Sequence, residues 1–134
     1  SNAMKQVPEA YADILSKPAF AHLCTLMKDG SPHSSPVWID TDGPLLVVNS
    51  AEGRLKDRNI RRDPRVAVSV CDPDNPYRTL MIRGRVTKIT NDGADEHIDR
   101  MAKKYMDVDE YPFRTPDEKR VIYYVEPETV SVMG

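Results

Sequence analysis

Between Arg54 and Arg65 the chain holds six cations (Arg54, Lys56, Arg58, Arg61, Arg62, Arg65) and two acids (Asp57, Asp63). That is +4 within twelve residues of a chain whose net charge is −2. The local context suits an anion. Residues 49–53 (NSAEG) read as the end of a strand and a glycine turn, and residues 54–56 (RLK) as the start of a helix. Free N–H groups and the helix dipole favour negative charge at such a junction. Ser50 offers a hydroxyl, Arg54 a planar fork and Lys56 a point charge, a set that a phosphate fits. Arg54, Arg58, Arg61 and Arg62 also fall at i, i+4, i+7 and i+8, so a solvated helix face accounts for the same residues. Both interpretations stay open on this segment alone.

Other chemistries find no anchor. His22, His33 and His97 share no ligand spacing and HExxH is absent, so a structural or surface role is expected for them and no metal site. Neither GxSxG nor GxxxxGK[ST] occurs, and the acids are scattered over loops. Cys24 and Cys71 lie 47 residues apart in apolar, strand-like runs without a CxxC pair, which reads as buried small side chains in a reducing cytoplasm. Nucleic acid is disfavoured by a pI of 5.9 and by the lack of aromatics among the cations. With no nucleophile or acid–base set, an enzymatic role would need a cofactor to carry the chemistry. Trp38, in the run Val37, Trp38, Ile39, suits either the wall of a planar site or the core. Pro36 before it removes a sheet donor, which places it at an edge or leaves neighbouring backbone groups free for a ligand.

The elements that must position these residues are mostly strands. Alternating or apolar runs predict strands over 20–27, 33–40, 45–48, 66–71, 80–90, 120–126 and 129–133, with KDGS at 28–31 and TDGP at 41–44 as hairpin turns. Gly84 within the long strand is a candidate bulge or close-approach point. Short helices are predicted over 7–16, 54–62 and 94–106; in the last, Ala94, Ile98, Met101, Ala102 and Tyr105 share one face, with Asp92 as N-cap. The fold class is therefore mainly β with α+β character: an antiparallel barrel of about seven strands with three short helices, forming one domain over residues 4–134. Ser1, Asn2 and Ala3 read as an expression-tag scar before Met4. No apolar run reaches the about 18 residues of a membrane span and no signal peptide is seen, so no membrane partner is expected.

Three segments occur in order: residues 20–39 (FAHLCTLMKDGSPHSSPVWI), the block 49–66, and DPDNPYR at 72–78 with RGRV at 83–86. Together they resemble the flavin and deazaflavin oxidoreductases of the split β-barrel class, related to pyridoxamine 5'-phosphate oxidase, and most of all the branch of F-420-dependent enzymes. The resemblance implies a homodimer of split barrels with two cofactors bound at the subunit interface; with the cysteine pattern, a cytoplasmic location is expected. It places Ser50, Arg54 and Lys56 at the cofactor phosphate, with Asn49 in the same block. It sets Ser34, Pro36, Val37 and Trp38 beside the ring system, and has Tyr77 and Arg78 reach the partner subunit's cofactor. The vitamin B6 oxidases carry basic residues along the second strand where this chain has Ser35 and Asp40 around Val37, and the chain ends at Gly134 without their C-terminal basic segment, so that activity is not expected. The implied function is hydride transfer from reduced coenzyme F-420 to an electron-poor small-molecule acceptor such as a conjugated alkene, quinone or tetrapyrrole. The alternatives are an FMN enzyme and a non-catalytic flavin or tetrapyrrole binder on the same fold. The proton donor is solvent or Tyr77.

Overall fold

The computed structural model describes residues 4–134, so the expected scar at residues 1–3 lies outside the described residues. A 3-10 turn (Glu9–Tyr11) and a short helix α1 (Asp13–Ser16) precede β1 (Ala21–Leu26) and β2 (Pro32–Val37). Then come β3 (Asp40–Asp42), β4 (Leu45–Ala51), α2 (Leu55–Arg62), β5 (Arg65–Asp72), β6 (Asn75–Thr90), α3 (Ala94–Met106) and β7 (Arg120–Met133). The seven strands form one antiparallel sheet in the order β2-β1-β5-β6-β7-β4-β3, curled into a split barrel.

Period-two alternation sorts the side chains. Leu23, Val68, Val70, Leu80, Ile82, Val121, Tyr123, Val125 and Val130 point inward and form the core with Ile14 and Ile60. β4 is apolar on both faces because both are covered: Leu46 and Val48 face the core, while Val47 packs with Ala94 of α3 and Ile122. The β1–β2 hairpin turns where expected, with Gly30 at φ +87° and the Asp29 carboxylate accepting the Ser31 N–H at 3.0 Å.

Four expectations need correction. The predicted strands 120–126 and 129–133 are a single strand, because Pro127 sits at a register shift against β6 instead of ending the ladder. The strand count stays at seven because residues 40–42, expected to belong to the second strand and the next turn, form β3. The N-cap of α3 is Gly93 in the left-handed region, while Asp92 turns back so that its N–H donates to the Thr90 hydroxyl. Cys24 is half-buried and Cys71 exposed: both point to the outer face of their strands, opposite the inward Leu23 and Val70. Gly84 is a close-approach point: a Cβ there would strike the Glu126 carbonyl, at a register shift of the β6–β7 pair.

Among the described residues no helix is long and apolar enough to cross a membrane.

Candidate functional site

The junction between β4 and α2 has the expected strand end, glycine turn and helix start. β4 ends at Ala51, Gly53 takes φ +87°, and Arg54, in extended conformation, precedes the first turn of α2. No side chain caps that turn; instead Asp57 reaches back to accept the Gly53 N–H at 2.9 Å. Asp57 also accepts the Tyr123 hydroxyl at 2.6 Å and Arg61 Nε at 3.0 Å. Burial opposes its ionisation, but these three donors outweigh burial and hold its carboxyl below the usual range. Burial first, and then the pairing with Asp57, push the Tyr123 hydroxyl upward. The turn is thereby fixed from inside the barrel, and Arg54 and Lys56 project from it.

Both line a cleft of ≈ 210 Å³ between β2, β4, α3 and the loop that leads into β7. The cleft has two unlike ends. Phe20, Trp38, Tyr111 and Phe113, with Pro36 and Val37, make an aromatic and apolar end, floored by Ile98 and Met101 of α3. Trp38 stacks on Tyr105 at a centroid distance of 5.0 Å and 9° between planes, and Tyr111 meets Trp38 edge-on at 6.0 Å. Tyr105 is pinned in turn: its hydroxyl donates to the Ala19 carbonyl at 2.6 Å and accepts the Ile39 N–H at 2.9 Å, and burial raises its pKa to about 12.

Arg54, Lys56 and Arg120, with Asn49, make the cationic end. Lys56 is half-buried, and its pKa is lowered by burial first and then by the Arg54 and Arg120 charges. Arg120, 5% exposed, donates through Nε to Asn49 Oδ1 at 2.9 Å and lies over the Tyr111 ring at 5.1 Å. Asn49 is oriented on its other side: Nδ2 donates to the Ala94 carbonyl at 2.9 Å and to His97 Nδ1 at 3.0 Å. That leaves His97 Nε2 to donate to Asp40 at 2.9 Å. Burial raises the Asp40 pKa, but the His97 and Thr41 N–H bonds outweigh it and keep it below the usual carboxylate value. A row of hydrogen bonds from Asp40 through His97 and Asn49 thus holds the Arg120 guanidinium at the cleft.

Six of the ten residues expected at a cofactor therefore meet in one cleft: Pro36, Val37, Trp38, Asn49, Arg54 and Lys56. Ser50 does not join them. Strand parity turns it to the core face, opposite Asn49, where its hydroxyl is buried without a hydrogen-bond partner among the described residues. Ser34 lies two residues along β2 from Pro36, in an outer groove with His22, Cys24, Met81 and Arg83. Tyr77 is 77% exposed, away from the cleft of its own chain. Arg78 is committed elsewhere: its guanidinium bonds Asp13, Asp72 and the Ala10 carbonyl. The other four cations of the opening segment bond local groups: Arg58 the Gly53 carbonyl, Arg61 Asp57, Arg62 the Leu26 carbonyl and Asn59, and Arg65 Asp63. The same segment thus holds two site cations and four that brace α2 and its exit.

Arg120, Tyr111, Phe113 and the Asp40–His97–Asn49 row did not emerge from the sequence. Arg120 enters because its backbone pairs with Ala51 at the foot of β4, a register that no local pattern announces. The available signal for the aromatics was their density in residues 110–113 (EYPF), inside a segment otherwise read as a loop.

Known structures share this architecture. An F-420 reductase superposes with a TM-score of 0.81 at 38% identity, over 93% of this chain and 98% of that one. A conserved hypothetical protein of Mycobacterium tuberculosis (TM-score 0.73, 22% identity, 99% of this chain and 89% of that one) has the same fold. So does General Stress Protein 26 of Bacillus anthracis (0.71, 19%, 93% and 92%). Residues 7–134 match the sequence profile described as pyridoxamine 5'-phosphate oxidase, and the chain belongs to that family of flavin- and deazaflavin-type split barrels.

Proposed function

We propose that this protein is an oxidoreductase that binds reduced deazaflavin coenzyme F-420 and serves hydride transfer to an electron-poor organic acceptor. The observation that carries the proposal is the two-ended cleft: three cations at one end, aromatic and apolar walls at the other. A ring system joined to a phosphate has that same division. The 38% identity to an F-420 reductase favours the deazaflavin over FMN.

The residues present fit such a group. Arg54, Lys56 and Arg120 would hold the phosphate, since burial and mutual repulsion leave Lys56 short of a counter-charge that an anion supplies. Pro36, Val37 and Trp38 would lie along the ring. When bound, the deazaflavin supplies the hydride. The protein's own part is binding, orientation and exclusion of water. Trp38, fixed by its stack on Tyr105, sets the plane of the aromatic wall. Ile98 and Met101, both buried, add apolar lining from α3. Among the described residues the cleft's own lining holds no carboxylate, histidine or thiol to act as proton donor; the proton comes from solvent or from Tyr77 of a second copy.

A homodimer completes the proposal, with the open side of the cleft closed by a second copy and Tyr77 contributed across the interface. The test is a paired titration of purified apo-protein with F-420 and with FMN, followed by turnover of bound reduced F-420 against a panel of enones, quinones and tetrapyrroles. Saturable F-420 binding and acceptor-dependent reoxidation are expected. Tight FMN binding with no affinity for F-420 would overturn the assignment.

A further inference from the structure

Glu118 lies in an adjoining groove that shares Arg120 with the cleft, and its carboxylate bonds two of the three cations at the cleft's cationic end. Its Oε1 accepts Arg54 Nη2 at 2.8 Å and also Arg120 Nη1, so two guanidinium groups converge on one oxygen. Among the described residues its Oε2 accepts a hydrogen bond only from the Thr115 hydroxyl, at 3.4 Å. The Glu118 side chain is 12% exposed and that of Arg120 4%, so the contact is sheltered from water. Lys56, the third cation, has no carboxylate partner among the described residues. The arrangement around Oε1 is the one a phosphate oxygen would receive at this end.

We propose that Glu118 is a resident competitor for the site: the anion of an incoming ligand takes the Arg54 and Arg120 donors, and Glu118 leaves with the segment 115–119. This rests on the cleft being a phosphate-binding cofactor site, and it deepens that assignment by naming what the phosphate displaces. Two anions cannot share the same pair of donors in a partly buried pocket without strong repulsion. Exchange therefore has to leave a net gain. A carboxylate ligand replaces Glu118 like for like and gains nothing. A phosphate has more acceptor oxygens and engages Lys56 and the first turn of α2 together with both arginines, so the exchange favours it. Glu118 thereby sets the selectivity of the site for phosphates over carboxylates. The route out is short. Thr115, Pro116, Asp117 and Lys119 are exposed, and the segment's backbone ties are the Glu118 N–H to Thr115 O at 3.3 Å and the Glu52 N–H to Lys119 O at 2.9 Å.

The experiment is calorimetric titration of inorganic pyrophosphate and of acetate into the wild type, Glu118→Gln and Glu118→Ala, with hydrogen exchange of residues 115–119 in the wild type with and without pyrophosphate. Both variants should bind pyrophosphate more tightly, on the order of tenfold, the scale of one charge-assisted hydrogen bond. Acetate should bind Glu118→Ala and leave the wild type unchanged. Exchange at 115–119 should quicken when pyrophosphate binds. Equal or weaker pyrophosphate binding in both variants would show that Glu118 only holds the arginines in place, and would overturn the proposal. If neither variant folds, slowed or unchanged exchange at 115–119 in the wild type does the same. Pyrophosphate carries no ring, so the result stands apart from cofactor identity: failure of F-420 to bind alongside an intact Glu118 effect would sink the cofactor assignment alone.

Discussion

Burial first, and then the charges of Arg54 and Arg120, lower the pKa of Lys56. A group held that way gains most from an anion and contributes least to the free fold. Lys56→Ala is therefore expected to weaken F-420 binding by about tenfold or more, the loss of one charge-assisted bond, while thermal stability stays unchanged or rises. Fluorescence titration and a melting curve of the same sample check both halves; unchanged affinity would put the phosphate elsewhere. The residue scale also shows what the sequence makes legible. Arg54 and Lys56 stand out because they are neighbours in a charged run with a turn before it. Arg120 belongs to the same site yet sits alone among mixed residues, and only the β4–β7 register brings it to Asn49. Ser50 failed to line the cleft for a related reason: adjacent strand residues face opposite sides, so the pair Asn49–Ser50 could supply one residue to the cleft and not two.

Among the elements, α1 is too short to hold itself in place and is tied down by charge. Lys17 bonds Asp72 and Asp74, both at 2.9 Å, while Arg78 bonds Asp13 at 3.0 Å and Asp72 at 2.6 Å and lies 5.3 Å over the Tyr11 ring. Asp72 is the hub. The Asp74 N–H first, then Lys17 and Arg78, lower its pKa from 3.8 to about 2, although burial opposes them. The folded state therefore holds fewer protons on Asp72 than the unfolded chain does between those values, so this contribution is complete above the unfolded value and is lost as pH falls from 3.8 toward about 2. Melting temperatures taken from pH 5 to pH 2 should fall for the wild type, and Asp72→Asn should start lower and fall less steeply over that window. Parallel curves would mean that the clamp does not carry the acid sensitivity. The strands that sequence patterns located well, β1, β5 and the body of β6, alternate cleanly because one face meets the core. The ends were harder. Pro127 looks like a terminator, yet it occupies a register shift opposite Gly84, where the missing Cβ gives the bent strand room.

At the scale of the whole molecule, the outer face of the sheet carries exposed apolar side chains. Tyr77 (77% exposed), Phe20 (58%), Met133 (53%) and Met81 (41%) leave large apolar side chains in water. The groove that holds Met81 also holds His22, Cys24 and Ser34, and His22 pairs across the β1–β2 ladder with Pro36 of the cleft wall. Groove and cleft are thus continuous along one hairpin, and a second copy seated on the groove would reach the cleft edge beside Phe20. Such contiguous exposed apolar surface marks an interaction site more often than an idle one. Light scattering of the purified chain should give twice the chain mass. Met81→Lys, which places a charge in the groove at a residue outside the cleft lining, should shift the protein toward monomer and weaken F-420 binding in step, with the far-ultraviolet dichroism retained. If cofactor affinity were set within one subunit, the two effects would separate. A monomeric Met81→Lys protein with full affinity would therefore place the whole site in a single chain and leave the apolar face to another role.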